Sequence, residues 1–253
     1  MAEPLPSGTA PAFYARRGGA LADWWTLLHP PYTLWHLSYV ALGAALVPRP
    51  DWAALALSVL AFFLAVGLAA HALDELSGRP LGTAIPSSVL WAVSVLALTA
   101  AVVLGLVGVF WWGPVNWPLA VAIPIGALLV VGYNLELFGG RLHTDTAFAL
   151  GWGGFPVAVG FLAQSPALSP GLLLAAVATA LAGVGTAGAQ RHLSTAARQL
   201  RRRSREVTGS VTGLDGQVTP LDRDALLRPL EGALRAMAWA VPAVAAGALL
   251  ARW

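Results

Sequence analysis

The sequence predicts an all-α, polytopic membrane helical bundle of about seven transmembrane helices, with a small cytoplasmic β-hairpin before the last one. Two observations carry the class. The 253 residues are 57% hydrophobic and 11% charged, with a mean hydropathy of +0.70, beyond the range of an ordinary soluble domain. The apolar residues are also gathered into runs that reach, or nearly reach, the length needed to cross a bilayer. A third observation orients the runs. There is no lysine, and 13 of the 15 arginines fall on one side of the span pattern, Arg49 and Arg252 being the two on the other. By the positive-inside rule this makes a multi-pass protein of the cell membrane with its N-terminus cytoplasmic and its C-terminus outside.

Residues 1–18 begin rich in Pro, Ala and Gly and lack the basic and apolar regions of a signal peptide, so they read as a disordered cytoplasmic leader. Residues 19–253 read as one membrane domain. Residues 21–28, with Trp24 and Trp25, predict a short amphipathic helix in the interface before Pro30-Pro31 turns the chain inward. Spans follow at 32–47, 52–73, 88–110, 119–131, 147–163, 172–189 and 234–250. The fourth is short and must borrow Pro118, Gly132 and Tyr133 to cross. Pro124, Pro156 and Pro242 lie inside spans, which membrane helices tolerate. The outer loops 111–117 and 164–166 are short and uncharged, the first of them aromatic, as interfacial turns should be. Gly183-Val-Gly185-Thr-Ala-Gly188 matches a dinucleotide-binding pattern, but it lies in an apolar helix with no strand before it and predicts close helix packing. Residues 206–221 alternate Val and Thr around Leu214-Asp215-Gly216, which predicts a hairpin turned at Asp215-Gly216. Because a lone hairpin is marginal, it should lean on the cytoplasmic face of the bundle. Asp222 or Asp224 then caps the last helix, with Pro229 near its start.

The absence of cysteine excludes thiol catalysis, disulfides and Cys-ligated metals. A pI near 9.9 reads as membrane orientation and attraction to lipid, not as nucleic-acid binding. What chemistry there is sits at the cytoplasmic helix ends. Asp74 and Glu75 lie side by side where the second span stops, and a carboxylate pair there should face a polar cavity, a protein group or water. His71 and Asp74 share one helix face, with Glu75 about 100° round from Asp74. Tyr133, Asn134, Glu136, Arg141, His143 and Asp145 follow the fourth span, and Arg191 and His192 end the sixth. His71, Asp74, Tyr133, Asn134 and Arg191 should therefore line a common cavity. Asp74 with Glu75 or Asp145 can hold Mg²⁺, and Arg79, Arg141 and Arg191 can clamp phosphate oxygens. Plainer readings stand beside these: His71 bonding a neighbouring helix, local ion pairs in the 136–145 loop, and a lipid-headgroup and orientation signal in the arginines of 198–205.

Together these residues resemble the UbiA superfamily of intramembrane prenyltransferases. Leu28-His29-Pro30-Pro31-Tyr32-Thr33-Leu34 is similar to the family's Arg-Pro…Thr-Leu entry, with His29 in the arginine position. His71-Ala-Leu-Asp74-Glu75 followed by Gly78-Arg79-Pro80-Leu81 resembles a contracted Asn-Asp-x-x-Asp…Arg-Pro-Leu motif. Tyr133-Asn134 through Gly151-Trp152-Gly153-Gly154-Phe155-Pro156 resembles the Tyr-initiated loop and Gly-rich fifth helix. The resemblance implies a cytoplasm-facing cavity where a prenyl diphosphate is held through Mg²⁺ and its prenyl group passes to a lipophilic acceptor. It assigns catalysis to His71, Asp74, Tyr133 and Asn134, the metal to Asp74, Glu75 and Asp145, and the diphosphate to Arg79, Arg141, Arg191 and His192. Three departures accompany it: residues 190–198 contain no carboxylate where the second aspartate motif belongs, the first motif lacks its leading Asn and last Asp, and seven spans replace nine. Two further readings remain, a non-catalytic isoprenoid- or lipid-binding protein on the same scaffold and a small transporter. Few mid-span ionisable residues and no inverted repeat speak against the transporter.

Overall fold

The structure, a computed structural model, describes residues 10–111, 113–165 and 167–253. Residues 1–9 of the expected leader lie outside the described residues. Among those described, a short helix α1 (Ala20–Leu28) precedes seven helical rods. They are α2 (Pro30–Ala44), α3 (Trp52–Phe62) continued through a π-helical stretch (Phe63–Ala70) into α4 (His71–Leu76), α5 (Ser87–Phe110), α6 (Trp117–Asn134), α7 (Asp145–Ala149) continued through a second π stretch (Leu150–Gly154) into α8 (Phe155–Leu162), α9 (Pro170–Arg202) and α10 (Arg223–Leu250). Five stretches, Trp52–Leu76, Ser87–Phe110, Trp117–Asn134, Pro170–Arg202 and Arg223–Leu250, are long and apolar enough to cross a membrane. Large apolar side chains such as Leu96, Leu174, Leu181 and Trp239 cover the outer faces, more exposed apolar surface than a water-soluble bundle tolerates.

Small residues set the helix spacing. A methyl group on Gly43 would meet the Val157 carbonyl oxygen, and one on Gly160 the Val40 carbonyl oxygen, so α2 and α8 cross backbone to backbone. Gly153 and Gly183 do the same for the second π stretch and α9. Of the Gly183–Gly188 pattern, then, Gly183 makes the close approach that the sequence predicts, whereas Gly185 faces open space. Trp35, fully buried, donates to the Tyr39 hydroxyl at 2.6 Å, which meets Thr186 at 2.7 Å, a polar seam between α2 and α9.

At one end the loops are tied by Asn116 donating to Leu162 O, Gln164 accepting from Asp51 N, and Arg252 donating to Ala45 O. The other end holds most of the charge. There the hairpin forms as predicted, β1 (Gly209–Thr212) pairing antiparallel with β2 (Val218–Leu221), with Gly216 in the left-handed region of the turn. It does not bury itself against the bundle: its strand residues are exposed except for Leu221, which is half-buried. Asp222 caps α10, accepting from Ala225 N at 2.7 Å.

Candidate functional site

The charged end of the bundle encloses a cavity of about 1320 Å³. Its walls are the α1–α2 junction, the start of α4, the end of α6, the second π stretch and the last turns of α9. His71, Asp74, Tyr133, Asn134 and Arg191 all line it, so the expected common cavity forms. Arg79 lines it as well, whereas Glu75, Arg141, Asp145 and His192 do not.

Each exception has a local cause. Glu75 is fully buried on the other side of α4, where its carboxylate accepts from Leu81 N, Thr83 N and Thr83 Oγ1 at 2.8–2.9 Å. It clamps the 77–86 loop, so the Asp74–Glu75 metal pair is not assembled. Arg79 serves the same loop: its guanidinium donates to Ile85 O and Ser87 Oγ, both at 2.6 Å, which engages it as a brace instead of a phosphate clamp. Asp145 stands outside the cavity with Arg191 Nε 3.0 Å away, and that guanidinium holds its carboxyl below the usual carboxylate range. His192 is exposed beside it, and Arg141 is exposed in its loop. Asp74 is different. Among the described residues it is the carboxylate beside His71 that faces the cavity with no hydrogen-bond donor on it.

The last turns of α9 extend the predicted Arg191 with residues that the sequence reading did not place in the cavity. Arg191, Thr195, Arg198 and Arg202 recur at intervals of four, three and four, one face of a helix, and all line the cavity. That spacing was the available signal, obscured because the neighbouring arginines made the whole run look like a headgroup contact. Arg201, off the stripe, pairs bidentately with buried Glu231 of α10 at 2.5 and 2.9 Å. Arg191 also lies over the Phe148 and Tyr133 rings, 5.4 and 5.9 Å from their centroids.

Residues 10–17 fold over the mouth. Arg202 Nε donates to Pro11 O, Trp25 Nε1 to Tyr14 O, and Thr26 Oγ1 to Arg16 O. Tyr14 and Tyr32 meet edge to face at 5.3 Å, and burial pushes the Tyr14 hydroxyl well above its ordinary pKa.

Four histidines share the cavity, and each sets Nδ1 against a backbone carbonyl: His29 on Leu27 O (2.6 Å), His36 on Trp152 O (2.9 Å), His71 on Gly67 O (3.1 Å) and His143 on Tyr133 O (3.0 Å). A carbonyl only accepts, so Nδ1 carries the proton and Nε2 keeps the lone pair in the uncharged ring. Both π stretches contribute here, since Gly67 and Trp152 belong to them. The His29 and His71 rings stack with centroids 4.2 Å apart, and burial, with His71 beside it, lowers the His29 pKa well below its ordinary value. Two buried polar atoms among the lining residues lack any partner, Tyr133 Oη and Gln190 Oε1.

A second cavity, almost wholly apolar, lies between α3, α5, α6 and α8, and Trp152 lines both. Comparison of the chain with protein-family models, with curated proteins and with solved structures finds no match.

Proposed function

We propose that the chain is a seven-span membrane protein, its charged end cytoplasmic, that binds a prenyl diphosphate in the polar cavity and transfers the prenyl group to a lipophilic acceptor. The observation that carries this reading is the α9 stripe, Arg191, Arg198 and Arg202, facing a walled cavity that adjoins an apolar one at Trp152. Three guanidiniums suit the oxygens of a diphosphate, and the apolar cavity suits a hydrocarbon tail. As the C–O bond to the leaving group breaks, negative charge gathers on the diphosphate, where fixed guanidiniums stabilise it more than the ground state. Tyr133, Phe148 and Trp152 line the cavity as one aromatic cluster, and such rings would stabilise an allylic cation developing beside them. Of the three carboxylates first assigned to Mg²⁺, only Asp74 remains available. That donor set fits an ion held by one carboxylate, with water and phosphate oxygens as its other ligands. Such an ion would add charge neutralisation to what the arginines supply.

The non-catalytic isoprenoid- or lipid-binding reading draws on Glu75, whose engagement with the loop leaves Asp74 without the neighbouring carboxylate that the sequence paired with it. Titrating the purified protein with pyrophosphate and with geranyl diphosphate, with and without EDTA, tests both. Arg198→Ala and Arg202→Ala should each weaken binding about tenfold or more whether or not metal is present. Asp74→Asn should remove only the part of the affinity that EDTA removes. Parent-like affinity in all three variants would end the diphosphate reading. Tight binding with no prenyl transfer to any hydroxylated or aromatic acceptor would favour the binder.

A further inference from the structure

The polar cavity has two walls of opposite hydrogen-bonding character. The three arginines of the α9 stripe offer only donors. Across from it, the uncharged rings of His29, His36 and His71 have Nε2 lone pairs left once Nδ1–H is engaged by a carbonyl. Asp74 adds a carboxylate on that side, and on α9 itself, next to Arg191, buried Gln190 has an Oε1 with no partner. A ligand seated there cuts these acceptors off from water, which is costly unless it brings O–H or N–H groups of its own. Charge narrows the class. Arginines outnumber carboxylates around the cavity, which disfavours an ammonium compound, and an acidic compound would be drawn to the arginines instead.

We propose that the imidazole wall binds a neutral hydroxyl compound and that one of its hydroxyl groups is the nucleophile of the transfer. This rests on the diphosphate reading above and names the class of acceptor. In the step, the hydroxyl oxygen forms a bond to C1 of the prenyl chain while the C1–O bond to diphosphate breaks. Diphosphate leaves with the bonding pair toward the arginine wall, and the hydroxyl proton passes to His71 Nε2. Asp74, three residues on and on the same helix face, lines the same cavity.

Resorcinol is a discriminating probe because it can be alkylated on oxygen or on carbon. Calorimetric titration of the full chain, saturated with pyrophosphate, should show resorcinol binding and no binding of 1,3-dimethoxybenzene, benzoate or benzylamine. His71→Phe keeps the ring stack with His29 but removes the acceptor, and Gln190→Met removes another. Each should weaken resorcinol about tenfold while leaving pyrophosphate affinity within about twofold. With geranyl diphosphate the product should be the aryl ether. Equal binding of the dimethyl ether, a preference for the charged probes, no resorcinol binding, or a ring-alkylated product would each overturn the proposal while leaving the diphosphate reading standing. Resorcinol binding that depends on His71 and Gln190 in a protein with no pyrophosphate affinity would sink the diphosphate reading and keep the hydroxyl site.

Discussion

Adjacent carboxylates in this chain have opposite fates. Asp74 and Glu75 are neighbours in sequence, yet the turn of α4 sends one toward the cavity and the other into the 77–86 loop. Glu75 accepts three hydrogen bonds, so Glu75→Gln must turn an NH₂ group toward a donor or lose a bond. It should cost about 2–3 kcal/mol, measured as a lower thermal midpoint in detergent. Asp74→Asn removes a carboxylate that no donor occupies and should stay within about 0.5 kcal/mol of the parent. A reversed order would mean that the clamp and the cavity group have been exchanged. The 100° offset was legible in the sequence, which placed His71 and Asp74 on one face. What Glu75 turns toward was not, because its partners are two backbone amides and the Thr83 hydroxyl of a loop whose path no side-chain pattern records.

At the scale of elements, the helices and the hairpin were legible because their signals are local: apolar length, an Asp cap, a Gly in the turn. The π stretches were not. Phe63–Ala70 and Leu150–Gly154 read as ordinary apolar helix, and the wider winding that sets the Gly67 and Trp152 carbonyls against His71 and His36 depends on packing with neighbours. Glycine in a helix is similarly ambiguous until contacts are known. Gly160→Ala would put a methyl 2.1 Å from the Val40 carbonyl oxygen and should cost about 1–3 kcal/mol. Gly185→Ala meets nothing within 4 Å and should be neutral or stabilising by up to about 1 kcal/mol through helix propensity. Thermal unfolding of the two variants checks the contrast, and equal midpoints would refute the close crossing of α2 and α8.

For the whole molecule, the arrangement proposed here puts the hairpin and the cavity mouth on the cytoplasmic side. The natural absence of cysteine makes the measurement direct. Val115→Cys should react with a membrane-impermeant maleimide on intact cells, and Leu214→Cys only after lysis. The opposite pattern would invert the protein and place its cavity outside. The sequence by itself determined the membrane class, the helix positions and the clustering of charge at one end, since these depend on hydropathy and arginine placement along the chain. Only the tertiary structure decided which of those charged groups face the cavity. Arg79 and Glu75 were drawn into a loop, Asp145 stayed outside, and Arg198 and Arg202 turned inward with three histidines opposite. The reason is physical: buried donors and acceptors must find partners, and which partners lie within reach is set by how helices distant in sequence pack together.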